Sequence, residues 1–87
     1  MTITKTMYVL TASGSDFKLT ELKSGYVRIE RMSLTSLRYM TFAKRARIDH
    51  GPKFGEIMTG VDVDTDAEYA WHTSPVMLVK GPFEVTL

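Results

Sequence analysis

The sequence predicts an α+β fold, a small single domain over residues 1–87 dominated by antiparallel strands with one short helix. Three observations predict it. The first third alternates with strand period between turn clusters, the middle carries a helix-start signal and a basic end, and the last third returns to short alternating runs. An all-β barrel, SH3-like or OB-like, is the alternative, because only the middle segment argues for a helix.

Thr4 to Thr11 sets Thr6, Tyr8 and Leu10 on one side and Lys5, Met7 and Val9 on the other. Ala12 to Asp16 is a turn cluster, Phe17 to Leu22 alternates again, Lys23-Ser24-Gly25 turns the chain, and Tyr26 to Glu30 completes a meander. Residues 33–48 hold conflicting signals. Ser33 offers an N-cap, and Lys44, Arg45 and Arg47 suit a helix C-terminus, with Gly51 and Pro52 beyond. Tyr39, Thr41 and Phe42 favour strands instead, and Leu34, Leu37, Met40 and Phe42 make no single helical stripe. The reading that reconciles them is a short helix over Leu34–Phe42, then an extended segment with Ala46 and Ile48 inward and Arg45 and Arg47 outward. After a loop at His50–Gly55, Glu56–Thr59 and Val61–Asp64 are short strands broken at Gly60, or one bulged strand. Glu68–Thr73, Val76–Lys80 and Phe83–Leu87 follow, separated by Ser74-Pro75 and Gly81-Pro82.

Composition narrows the function classes. Hydrophobic residues make up 44% with nine aromatics, which is globular rather than disordered. With no cysteine there is no disulfide scaffold and no thiolate metal site, and a reducing compartment fits. The N-terminus shows no long apolar run, and Val76–Val79 is too short to span a bilayer, so the expected location is the cytoplasm.

The formal net charge of +1 hides a division. Residues 28–53 carry Arg28, Arg31, Arg38, Lys44, Arg45, Arg47 and Lys53 against Glu30 and Asp49. Residues 54–87 carry Glu56, Asp62, Asp64, Asp66, Glu68 and Glu84 against Lys80 alone. Either the two halves face each other within one domain, or they present a basic and an acidic face to partners. The basic face is Arg38, Lys44, Arg45, Arg47 and Lys53, with Tyr39 and Phe42 interleaved as single-stranded nucleic acid would require. The acidic face is Asp62, Asp64, Asp66 and Glu68. Its opening resembles a calcium loop, but Ala67 stands where the turn needs glycine and Thr73 where a bidentate glutamate closes the site, so no metal is expected. Tyr69 and Trp71 share a strand face. Core packing is their default, and an aromatic anchor at an interface is the functional version. His50 and His72 lack metal spacing, Gly51–Gly55 lacks the residues of a phosphate loop, and no G-x-S-x-G context marks a nucleophile. No catalytic residue and no cofactor are expected.

Tyr69-Ala70-Trp71-His72-Thr73-Ser74-Pro75-Val76, followed by Phe83–Leu87, resembles the C-terminal part of short accessory proteins of tailed phages and prophages. The terminal continuation ending in Tyr is absent. The resemblance implies a small non-enzymatic protein acting on host or phage macromolecules, in the host cytoplasm, including inhibition of a host defence complex. The expected function is macromolecular recognition without catalysis: binding of a host or phage protein through a charged and aromatic face. Binding of nucleic acid through Arg38–Lys53 is the alternative. The charge division also predicts weak homo-oligomers.

Overall fold

The computed structural model describes residues 3–64 and 69–86, and within them each strand pairs with the strands before and after it in the chain. The strands are β1 (Ile3–Thr11), β2 (Asp16–Glu21), β3 (Val27–Met32), β4 (Tyr39–His50), β5 (Ile57–Asp62) and β6 (Tyr69–Thr86). All six neighbouring pairs are antiparallel, and β6 returns to β1 to close the barrel. The fold is therefore all-β, and the expectation of an α+β fold is corrected. Consecutive pairing throughout also separates this barrel from the five-stranded Greek key of an OB-fold.

No helix forms over the expected span Leu34–Phe42; the chain makes a single hydrogen-bonded turn after Ser33 and then enters β4. Ser33 does cap this turn: Ser36 N–H donates to Ser33 Oγ at 3.3 Å, and Leu37 N–H donates to the Ser33 carbonyl at 2.9 Å. Leu37 then adopts a left-handed conformation, φ 55°, which ends the turn, and Tyr39 enters β4. No helix follows because Tyr39 to Ala43 have a better partner. They pair with Met32 to Ile29, which lets their β-favouring side chains pack on a sheet.

The β1–β2 and β2–β3 ladders run without a break, and every register shift involves β4 or β6. Phe42 is an extra residue between Thr41, opposite Glu30, and Ala43, opposite Ile29. A second extra residue follows at Lys44-Arg45, so both cations face solvent while Ala43 and Ala46 are buried. Ala46 and Ile48 lie on the core side as expected, Ile48 only partly buried. In β6 the extra residues fall near Thr73-Ser74, at Met77, and at Gly81-Pro82. Thr73 repairs the ladder at its bulge, where its Oγ1 accepts from Met58 N–H at 3.1 Å. The three short C-terminal strands expected from the sequence are thus one bent strand, pairing β5 with its first part and β1 with the rest.

The interior is filled by Val9, Phe17, Leu19, Ile29, Ala43, Ala46, Met58, Trp71 and Val76. Six strands enclose little space, and these side chains occupy the middle of the barrel. Gly60 does not break β5. It lies opposite Trp71 in the ladder, and a Cβ there would stand against the Arg47 carbonyl and 2.5 Å from Trp71 Cζ2. The indole occupies the room a side chain would take.

Two stability outcomes follow from these contacts. Gly60→Ala should cost roughly 1–3 kcal/mol in denaturant unfolding, because the indole and the β4 backbone must both shift. A change within experimental error would show that the Gly60–Trp71 contact is not tight. Leu37→Gly should stabilise by about 0.5–1 kcal/mol, since left-handed backbone costs an L-residue ~1–2 kcal/mol and glycine's extra freedom returns part of that. The Leu37 side chain is 75% exposed, so little packing is lost.

Candidate functional site

Strand β1 is apolar on both faces. Met7 and Val9 turn inward with Leu19 and Phe17, while Tyr8 and Leu10 turn outward beside Lys18 and Asp16 of β2. On the other flank Tyr8 faces Lys80 and Leu10 faces Leu78 of β6. The extra residue at Gly81-Pro82 restores outward register at Phe83, which is 51% exposed and opposite Thr6. Tyr39 of β4 reaches over the end of β3 into the same area. The result is a groove of about 410 Å³ on the outside of the barrel.

Three rings build it. The Tyr8 and Tyr39 centroids lie 6.0 Å apart at 51°, and those of Tyr8 and Phe83 lie 6.3 Å apart at 55°. Lys18 Nζ stands 6.0 Å from the Tyr39 centroid, at the limit of a cation–π contact. Tyr39 is held in place by donating its hydroxyl proton to Asp16 Oδ1 at 3.0 Å. Burial pushes this phenol up to about 12, with the Asp16 hydrogen bond and the negative charge of Asp16 adding to it. Tyr39 is therefore a proton donor throughout the physiological range. The groove offers flat aromatic rings at its centre, with Lys18, Lys80 and the Asp16 carboxylate at its margin.

The cations expected to form a basic face are dispersed. Arg38 is exposed on the turn after β3, Lys44 and Arg45 stand at the bulge of β4, Arg47 lies further along, and Lys53 is in the β4–β5 loop. From Arg38 to Arg47 extended chain covers about 30 Å. Three of the five have carboxylates beside them: Arg45 with Asp64 at 3.8 Å, Arg47 with Asp49 at 2.8 Å, and Lys53 with Glu56 at 3.7 Å. Arg45 also lies over the Tyr26 ring, 5.4 Å from its centroid. His50 Nε2 sits 3.1 Å from Glu56 Oε1. Lys44 and Arg38 have no ion pair among the described residues.

The acidic face is half described. Asp62 Oδ1 accepts from Asp64 N–H at 3.0 Å, so the two carboxylates of this run serve a local turn and Arg45. Asp66 and Glu68 lie outside the described residues. Among the described residues no three His, Asp or Glu side chains come together to hold a metal ion. Trp71 is 8% exposed and belongs to the core, while Tyr69, two residues earlier, is 65% exposed; of the pair only Tyr69 is open to a partner.

Sequence reasoning passed over Tyr8, Leu10, Lys18, Leu78, Lys80 and Phe83. The signal was present: Met7-Tyr8-Val9-Leu10 and Val76-Met77-Leu78-Val79 are apolar on both faces, which a one-sidedly solvated antiparallel sheet does not require.

No protein-family model, no curated protein and no solved structure matches this chain.

The hydrogen bond between Tyr39 and Asp16 has a measurable consequence. Ultraviolet titration of the phenols should resolve a transition near pH 12 that Tyr39→Phe removes. The folded protein binds the Tyr39 proton more tightly than the unfolded chain, whose phenols titrate near 10. Stability from this group is thus complete below about pH 10 and is lost as pH rises towards 12. Absence of any late transition would show that the Tyr39 hydroxyl is not held by Asp16.

Proposed function

We propose that the protein is a non-enzymatic recognition module that binds another protein through the outer groove formed by Tyr8, Tyr39 and Phe83. The observation that carries this reading is the ring cluster on the outside of a barrel whose inside is already filled. A folded chain gains nothing for its own core from three aromatic rings and two leucines, Leu10 and Leu78, on the solvent side of β1 and β6. Such rings bury large area with little loss of side-chain freedom, which is why tyrosine recurs at the centre of protein interfaces. Lys18 and Lys80 flank Tyr8 and would form a polar rim favouring an acidic partner surface.

Nucleic-acid binding through Arg38, Lys44, Arg45, Arg47 and Lys53 is less well supported. Carboxylates stand beside Arg45, Arg47 and Lys53, and a polyanion would have to displace or repel them. A phage or prophage origin and action on a host defence complex accord with a small recognition module but find no further support in the groove.

Tyr8→Ala combined with Phe83→Ala tests the reading. The barrel should stay folded, because both rings stand on the outer face, and a partner captured from a lysate of the source cell by the native chain should be lost. Capture that survives the double substitution places the interface elsewhere. An oligonucleotide titration at 150 mM salt should show nothing tighter than ~10 μM, the non-specific range. Sub-micromolar binding that collapses when Lys44, Arg45 and Arg47 are neutralised would replace this reading with the nucleic-acid one.

A further inference from the structure

One end of the barrel opens between the β1–β2 turn, the end of β3 and the bend of β6, leaving a recess of about 170 Å³. Among the described residues its lining holds no aspartate or glutamate, in a chain that has ten of them. The lining does hold Arg31, His72 and five hydroxyl side chains, three of them Ser13, Ser15 and Ser74. We propose that this mouth binds a small oxyanion, a carboxylate or phosphate group, between the Arg31 guanidinium and the serine cluster. The proposal is independent of the outer groove.

Arg31 is placed for this by register. It lies opposite Phe17, whose ring is buried inside the barrel, but one residue from the end of β3, so its side chain emerges at the opening and not in the core. It has no carboxylate partner among the described residues. A guanidinium without a counter-ion at the rim of a concave, low-dielectric site attracts an anion more strongly than one on an open face, and its fork of N–H groups matches two oxygens at once.

The serines are already ordered. Ser13 N–H donates to Ser74 Oγ at 3.0 Å, and Ser74 Oγ–H donates to Ser13 Oγ at 2.9 Å. Ser13 Oγ in turn lies 3.3 Å from Thr11 Oγ1 and 3.5 Å from Ser15 Oγ. The last of these is at the margin of a hydrogen bond, and hydroxyl rotors at the end of such a chain can turn their hydrogens to an incoming acceptor. This cross-link joins residues 61 positions apart, so the cluster is held by closure of the barrel and not by local turn geometry.

Trp71 forms one wall of the recess, and its Nε1–H lies beneath the surface, so the indole reports on the site without contacting the ligand. Size limits the seated group: at ~30 Å³ per water, the recess takes about five heavy atoms, which fits a phosphate or a short carboxylate, and any larger ligand extends out of the mouth.

The experiment uses the full chain, ¹⁵N-labelled, titrated with sodium phosphate and separately with sodium acetate, ionic strength being held constant with sodium chloride. Trp71 is the sole tryptophan, so one indole N–H signal reports on the site. The expected result is a saturating shift of that signal together with the Ser13, Ser15 and Ser74 amides, with millimolar affinity. Arg31→Gln should weaken binding at least tenfold, and Arg38→Gln, outside the lining, should leave it unchanged. A response to phosphate alone assigns the site to phosphoryl groups, and a response to both salts shows that a carboxylate suffices. The proposal is overturned if no signal saturates, if the saturating shifts map elsewhere on the barrel, or if chloride alone reproduces them. An equal response in folded Arg31→Gln also overturns it. Should that variant not fold, the mapped shifts of the native chain decide.

Discussion

A single sheet of six strands buries one face by rolling up, and rolling up so few strands demands steep tilt and sharp bends. The chain meets that demand with two long strands. Strand β6 pairs with β5 along its first part and with β1 along the rest, and Ala46 of β4 lies opposite both Val27 of β3 and Asp62 of β5. Extra residues in these two strands supply the bends, and each one changes which side chain faces out. That is why Lys44 and Arg45 are both in solvent, why Met77 and Leu78 are both exposed, and why Phe83 returns to the outer face beside Tyr8. Closure also explains the small residues. Ala43, Ala46 and Gly60 stand where the barrel is tightest, and Trp71 fills the space above Gly60.

The same device governs what could be read from the sequence. Strands β1, β2 and β3 pair without a register shift, so their alternation was intact and the meander was legible. In β4 the inward residues Ala43 and Ala46 are three apart, a helical spacing produced by a bulge. The expected helix over Leu34–Phe42 rests instead on the Ser33 cap and on Lys44, Arg45 and Arg47 as a basic C-terminal end, and only pairing with β3 decides otherwise. In β6 the bulges fall at Ser74 and Gly81-Pro82, where turn signals also fall, so one strand looked like three. Trp71 is core and Tyr69 exposed, and carboxylates stand beside Arg45, Arg47 and Lys53. The groove was hidden because its members come from β1, β4 and β6, whose proximity depends on closure. Arg31 was counted only as charge, since nothing local shows that its register points it at the mouth.

The charge division is partly resolved within the chain. Asp64 from the acidic half meets Arg45 of β4, Glu56 meets Lys53 within the β4–β5 loop, and Arg47 pairs with Asp49 beside it. These contacts are exposed and contribute little to stability, of the order of 0–1 kcal/mol each. Their effect is to lower the field that the basic half projects, which weakens the case for a polyanion partner.

What the surface retains is apolar. Phe54, Ile57, Tyr69, Met77 and Phe83 are exposed, and so are Leu34 and Leu37 on a turn whose backbone is left-handed at Leu37. A closed barrel has no free strand edge, so a partner cannot be joined by extending the sheet. The proposed recognition therefore runs through side chains, and the side chains best organised for it are those already packed on one another. Tyr8, Tyr39 and Phe83 meet that condition because Asp16 fixes Tyr39, and Tyr8 touches the other two rings. A preassembled cluster loses less side-chain freedom on binding than isolated leucines on a turn. That difference, more than exposure alone, places the groove ahead of the other apolar surfaces.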